Sequence, residues 1–583
     1  MLVAATPRPA DACGGTFCDA GPQAMPVDQT GETIVFVLDE THVEAHIQIE
    51  YDPSTEAERF AWIIPVMNTP EFAVSSQQLM LNLQNSTVPS YGFSNFRDFC
   101  DDDWGGEGGW DDWDGCDGGG AAPGGDSDAA GGGGDDGATT GGGTEVISKQ
   151  TLGAFDIAVV ESQTAEDLMI WLGENDFYQD PNATPILQEY VDEGAQFVAV
   201  RLTNGADVGE IHPISLRYEG RSPCLPIRLT RIAAAEDMDI RAFFLAKGRA
   251  YPTNYRHVEL NPLKLDWIDL GSNYKEVVTQ AIDEPLVEGH GFVTEYAGPT
   301  DLITRDGLFN PLWDDAVFSS TVPEDLYDIL YYQDLLRCDE EPCTGHPLTL
   351  GILASYLPVP AGLTAAEYYE CIECFEDEAD LSAWDGEAFG NDVLERIINP
   401  GLHAVELLDE NPFVTRLYTT LSPHEMTEDP LFFAEEEPPM PFDYVDRTSY
   451  TSTRFFSCGG RVEMQLPEGN RNVRLASTTE WPIIAPDHMP WSQRVTEHMA
   501  GFAPVELANN VTEIDDLLEN WNNGLDPSNS CHGHDDSAGQ DDDGEGGALG
   551  GCGCRSDDDG APGWMLMLFA ALGLRRLSRR RAA

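Results

Sequence analysis

His42, Glu44 and His46 alternate within one short segment, HVEAHIQIEY. On a strand, residues two apart point the same way, so all three side chains share one face. Neighbours on that face stand ~6.6 Å apart, which one metal ion would bridge, whereas His42 and His46, ~13 Å apart, are out of reach of a shared ion. The pattern is not the helical H-E-x-x-H arrangement. A solvated strand face accounts for the same three residues without any metal, and that is the expectation here.

A second constellation is acidic. Asp101, Asp103, Gly106 and Asp112 fall at positions one, three, six and twelve of a calcium-loop pattern. Position five is Gly105, which brings no side-chain ligand, and position twelve is Asp where a bidentate Glu normally sits. No helix signals flank it. The expectation is loose Ca²⁺ association through Asp101, Asp103 and Asp112 and no other cofactor. Cys531-His532-Gly533-His534 has the ligand types for copper or zinc, but it lies in an Asp/Gly/Ser-rich stretch and reads as incidental. Trp104, Trp110 and Trp113 are aromatics that would contact glycans or a partner, or are chance in a biased segment.

Catalytic signatures are missing. There is no nucleophile elbow, phosphate-cradling loop or dinucleotide fingerprint. Carboxylates are so abundant that no acid/base pair stands out. His290 in EGHGF and His424 in LSPHEMTEDP have no matched partner. No catalytic residue is assigned.

The elements that must position these groups follow from periodicity. TIVFVLDE, HVEAHIQIEYD and RFAWIIPV read as strands, and Ser75 and Ser76 cap a helix through about Asn85. From 98 to 144 the chain is Asp, Gly and Trp with little to pack, so it reads as a disordered acidic Gly-rich insertion. EVISKQTLGAFDIAVVES then gives one or two strands. Thr164 with Asp167 opens a capped helix, and another helix follows Pro185. QFVAVRLTN, HPISLRYEG, CLPIRLTRIAA and MDIRAFFLAKG read as strands. The fold class is α+β, a largely antiparallel sheet with flanking helices. From 273 the reading turns helical, interleaved with a strand-like HPLTLGILASYLPV, and RVEMQLPEG with NVRLAST reads as a closing hairpin. The expected organisation is 13–272 as an α+β domain, 273–505 as a second, mostly helical unit, 506–551 as an acidic linker and 552–583 as a tail.

Composition narrows function. The balance of 103 acidic against 31 basic residues gives a net charge of −72 and argues against nucleic-acid binding, which needs clustered Lys and Arg. It fits a soluble surface that meets divalent cations. Thirteen cysteines include four local pairs, Cys13/Cys18, Cys100/Cys116, Cys338/Cys343 and Cys371/Cys374, which are the economical disulfide candidates if the chain is exported. The rival is a zinc site built from Cys338, Cys343, Cys371 and Cys374. Residues 1–12, MLVAATPRPADA, end in small residues but are too short in apolar content for a signal peptide. They are expected to be the remnant of an export signal whose true start lies upstream.

The last residues carry an address. Cys552 and Cys554 precede a polar spacer, a short apolar run from Trp564 to Leu574, and Arg575, Arg576, Arg579, Arg580 and Arg581. An apolar run of this length is too short for a permanent span, which takes ~20 residues. The arginines hold its end on the cytoplasmic side. The order Gly551-Cys552-Gly553-Cys554-Arg555, apolar run, terminal arginines resembles the myxobacterial C-terminal sorting signal (MYXO-CTERM). That resemblance implies an inner-membrane intermediate through 564–574, cleavage by a sorting protease, and anchoring at the cell surface or outer membrane through a lipid on Cys552 or Cys554.

A second resemblance covers about 13–433. CGGTFC, PVDQTGETIVFVLD, FAWIIPV, FDIAVVES, LMIWLGEND, FVAVRLTN, PIRLTRIAA, RAYPTNY and ELLDENPFVTRLYTTLSPHEMTEDPLF follow one another as in the domain-of-unknown-function family 2330. It implies an exported bacterial protein of no established activity. The functional expectation is therefore a surface-anchored binding or structural protein of the envelope with an unknown surface ligand. The alternative is a secreted hydrolase whose site is assembled from distant residues.

Overall fold

A computed structural model describes residues 16–18, 29–39, 41–51, 60–97 and 143–525, apart from 176–181, 204–210, 233, 340–341, 376–380, 438–443, 458–460 and 468–470. All of these belong to one compact unit. Its centre is a ten-stranded sheet. The order runs Val505–Asn509, Ser492–Glu497, Arg256–Leu260, Gly291–Pro299, Phe413–Leu421, Ala234–Ala246, Gln29–Leu38, His42–Tyr51, Ile214–Glu219, Glu71–Val74. Pairing is antiparallel except for Ala234–Ala246 on Gln29–Leu38 and Arg256–Leu260 on Gly291–Pro299. The α+β expectation with a largely antiparallel sheet holds.

One face of this sheet packs on a second, five-stranded sheet ordered Thr16–Cys18, Phe60–Val66, Gln196–Leu202, Phe155–Ser162, Thr144–Leu152. Ile34, Phe36, Ala45 and Phe244 from the first share a core with Ile64, Ile157, Val159 and Val198 from the second. The outer face of the five-stranded sheet carries the helices Ala165–Glu174 and Ala183–Asp192. Thr164 caps the first by accepting from the Asp167 amide, as the sequence predicts. The other face of the large sheet is covered by the helices Gln77–Thr87 and Asn399–Glu410. Ser76, not Ser75, caps the first of these through the Leu79 amide.

Two further layers complete the body. Helices between Pro323 and Ile398 close around their own core, which includes Phe318, Leu330, Leu353, Tyr368 and Phe389. A four-stranded sheet of Asn472–Arg474, Val462–Gln465, Ser449–Phe456 and Ser90–Arg97 packs with the helix Val511–Gly524 through Met464, Val473, Ile514 and Leu518.

Four expectations need correction. The boundary at 272/273 does not divide the central sheet, because strands from both sides of it hydrogen-bond side by side. Residues 506–525, expected as linker, form the strand Val505–Asn509 and the helix Val511–Gly524, whose apolar stripe is buried. HPLTLGILASYLPV contains a helix, Thr349–Tyr356, rather than a strand. A short, uniformly apolar run has no periodicity to separate the two, and here burial inside the helical layer decides. CLPIRLTRIAA holds a single helical turn, Ile227–Thr230, entered from Pro226. Among the described residues no helix is long and apolar enough to cross a membrane, and 564–574 lie outside them.

Candidate functional site

The strand His42–Tyr51 is two-faced. Val43, Ala45 and Ile47 point into the core between the sheets, so His42, Glu44 and His46 point to the opposite face. That face is not solvated. Leu79, Met80 and Leu83 of one helix and Ala404, Leu407 and Leu408 of another pack over Val35 and Val37 beside it. His46 is 1% exposed, and the Glu44 side chain is 12% exposed. The expectation of a solvated strand face is thus overturned by a helix that begins some 350 residues downstream. That helix is brought in by a wide π-type turn, Leu394–Ile398, and by Gly401, where an added Cβ would lie 1.9 Å from the Leu308 carbonyl oxygen.

The helix delivers His403. Its Nε2 lies 2.7 Å from Glu44 Oε1, and His46 Nε2 lies 3.1 Å from the same oxygen. The two imidazoles are stacked with centroids 6.1 Å apart. One ligand atom from each of Glu44, His46 and His403 falls within 4.8 Å of the others. Three outer contacts hold the set. Ser75 Oγ hydrogen-bonds His46 Nδ1 at 2.8 Å, Ser215 Oγ donates to Glu44 Oε1 at 3.1 Å, and Glu406 Oε2 stands 3.9 Å from His403 Nδ1. Ser215 is fixed by register, directly across from His46 on the neighbouring strand. His46 Nε2 is buried and, despite its closeness to Glu44, is not aligned for a hydrogen bond with any group.

Burial of Glu44 by itself favours the neutral acid. The hydrogen bond from His403, the His46 imidazole 3.1 Å away and the charge of the two rings outweigh it and hold the carboxyl well below the usual carboxylate range. The Glu44 hydrogen bond raises the His403 imidazole above its ordinary value against partial burial. In outline Ser75, His46 and Glu44 also form a serine–histidine–carboxylate chain. Ser75 is only 2% exposed, so no substrate reaches its hydroxyl, and an acyl-transfer reading fails on access.

Other sequence candidates are placed elsewhere. His42 does not join the cluster; its Nδ1 bonds Thr41 Oγ1 at 2.9 Å beside Asp39. His290 is engaged by the Glu288 carbonyl and Thr427 Oγ1, and His424 is exposed. Cys338 is bonded to Cys343 and Cys371 to Cys374, so those four sulfurs form two bridges and not a zinc site. Asp101, Asp103, Asp112, Cys13, Cys100, Cys116, Cys552, Cys554, the Cys531-His534 segment and the three tryptophans lie outside the described residues, as does the Cys18 side chain. Periodicity alone did not reveal His403, Ser75 or Ser215 as site residues. His403 sits in an ordinary amphipathic helix, and nothing local distinguishes it.

The model of a family described as an uncharacterised protein conserved in bacteria (DUF2330) matches residues 7–309, just over half of the 583. The chain belongs to the DUF2330 family. No curated protein and no solved structure matches it. The DUF2330 match contains Glu44, His46, Ser75 and Ser215, while His403 lies beyond its end.

Proposed function

We propose that this DUF2330 protein is exported and held at the cell surface, where its rigid body serves as a binding or structural component of the envelope. The observation that carries the reading is the pair of bridges Cys338–Cys343 and Cys371–Cys374 in the helical layer. Disulfides persist in oxidising compartments and are rare where thiols are kept reduced. The layout of the tail supports the same destination: Cys552 and Cys554, an apolar run of marginal length, and a cationic end that resists translocation. In this reading the tail passes through the inner membrane, a sorting protease removes it, and a lipid on one of the two cysteines supplies the anchor. A single acyl chain binds membranes only marginally, so a second attachment accompanies it.

Fractionation of producing cells tests the proposal. The protein is expected in the envelope, open to protease added to intact cells, with a mass that lacks the terminal arginines and with Cys338, Cys343, Cys371 and Cys374 resistant to alkylation. Recovery from the cytosol with Ala583 intact and those thiols free would overturn it.

A further inference from the structure

We propose that Glu44, His46 and His403 form a binding site for a divalent transition metal of the zinc class. Two imidazoles and one carboxylate are the donor set that borderline first-row ions take, and zinc accepts it with a water in the fourth position. The first argument is the spacing. Donor atoms around a tetrahedral zinc stand ~3.3 Å apart for bonds of about 2.0–2.1 Å. Glu44 Oε1 is 2.7 Å and 3.1 Å from the two imidazole nitrogens, and the full set fits within 4.8 Å. Small outward shifts of Glu44 and a turn of the half-exposed His403 ring close that set around an ion.

The second argument is the orphaned nitrogen. A buried imidazole nitrogen without a hydrogen bond costs free energy unless something else occupies its lone pair. His46 Nε2 is such a nitrogen, and it points into the cluster. In the tautomer in which Nδ1 donates to Ser75 Oγ, Nε2 is left as the lone-pair donor. This is the outer contact that metal-bound histidines regularly make, and Ser215 on Glu44 supplies its counterpart for the carboxylate. A plain buried ion pair would align His46 Nε2 with Glu44 for a hydrogen bond.

The third argument is access. His403 is 40% exposed on its side chain and Glu406 is 74% exposed, so the fourth position opens to solvent on the helix side. The ion would also join two segments 359 residues apart, the DUF2330 strand and a helix beyond the family match.

The test uses the full chain, stripped with chelator and titrated with Co²⁺ and then Zn²⁺. The wild type is expected to take up one Co²⁺ with the intense visible absorption of a four- or five-coordinate ion, displaced by Zn²⁺. His403→Ala and Glu44→Gln are each expected to weaken that event tenfold or more and to abolish the band. His403→Ala is the deciding variant because its side chain, 40% exposed, is the most accessible of the three, and far-ultraviolet circular dichroism of the variant checks that the fold is kept. A wild type without the band overturns the site. So does a band of equal strength and affinity in His403→Ala, since it would arise elsewhere, for example at Cys531-His534.

Discussion

At the scale of single residues, the most exposed weakness of the body is a buried acid. Glu32 lies in the central strand Gln29–Leu38, across from Ile240, with Oε2 unpartnered. Burial pushes its carboxyl up to about 7. The folded state therefore keeps a proton that the unfolded chain loses near the ordinary value of 4.5. Stability from this group is whole below that value, falls as pH rises through the window up to about 7, and is level above it. At 1.36 kcal/mol per unit the loss is on the order of 3 kcal/mol. Urea unfolding of Glu32→Gln should show the variant gaining about that much on the wild type at pH 8 and nothing at pH 4. A parallel offset at both pH values would refute the assignment. The same scale shows what sequence leaves unread. Alternation put His42, Glu44 and His46 on one face correctly, but whether a face is wet depends on what covers it, and the cover comes from the distant Asn399–Glu410.

Between elements, the joint that matters most is where the helix Gln77–Thr87 meets the sheet. Arg416, in the fully buried strand Phe413–Leu421, donates from Nη1 to the Gln84 carbonyl and to Thr87 Oγ1. Its Nε lies 2.5 Å from Glu295 Oε2, and both side chains are almost wholly buried. Removing one partner of such a pair leaves an unpaired interior charge, which costs about 3–5 kcal/mol, whereas replacing both with apolar groups costs far less. Arg416→Ala is expected to lower denaturant stability by that amount, and Arg416→Met with Glu295→Leu to recover most of it. Equal losses in the single and double variants would show that packing, not charge, dominates. Elements with a period were legible from sequence: the strands Gln29–Leu38, His42–Tyr51 and Phe60–Val66 and the Thr164 cap all rest on local chemistry. Thr349–Tyr356 and Ile227–Thr230 were not, because their conformation is set by the layer that encloses them.

Over the whole molecule, sequence reading divided at residue 272 what the sheet unites. Local signals mark where elements start and stop, and they carry no record of which strands lie side by side. Gly291–Pro299 and Phe413–Leu421 complete a sheet whose middle is built from Gln29–Leu38 and Ala234–Ala246. The candidate metal site has the same character, with its third ligand arriving from outside the family match.

The strands on either side of the acidic stretch have a practical corollary. Ser90–Arg97 and Thr144–Leu152 are each the outermost member of a different sheet. The chain before the stretch is clamped by partners far along the sequence: Gln29–Leu38 by Ala234–Ala246, His42–Tyr51 by Ile214–Glu219, and Ser90–Arg97 by Ser449–Phe456. A peptide-bond cut between 98 and 142 would therefore sever the backbone without opening the body. Limited proteolysis there should yield two fragments on a denaturing gel that still co-elute as one particle in native size exclusion. Separately expressed halves should reassemble, which makes this protein a natural split reporter; dissociation of the nicked halves in native buffer would contradict the interleaving of the sheets.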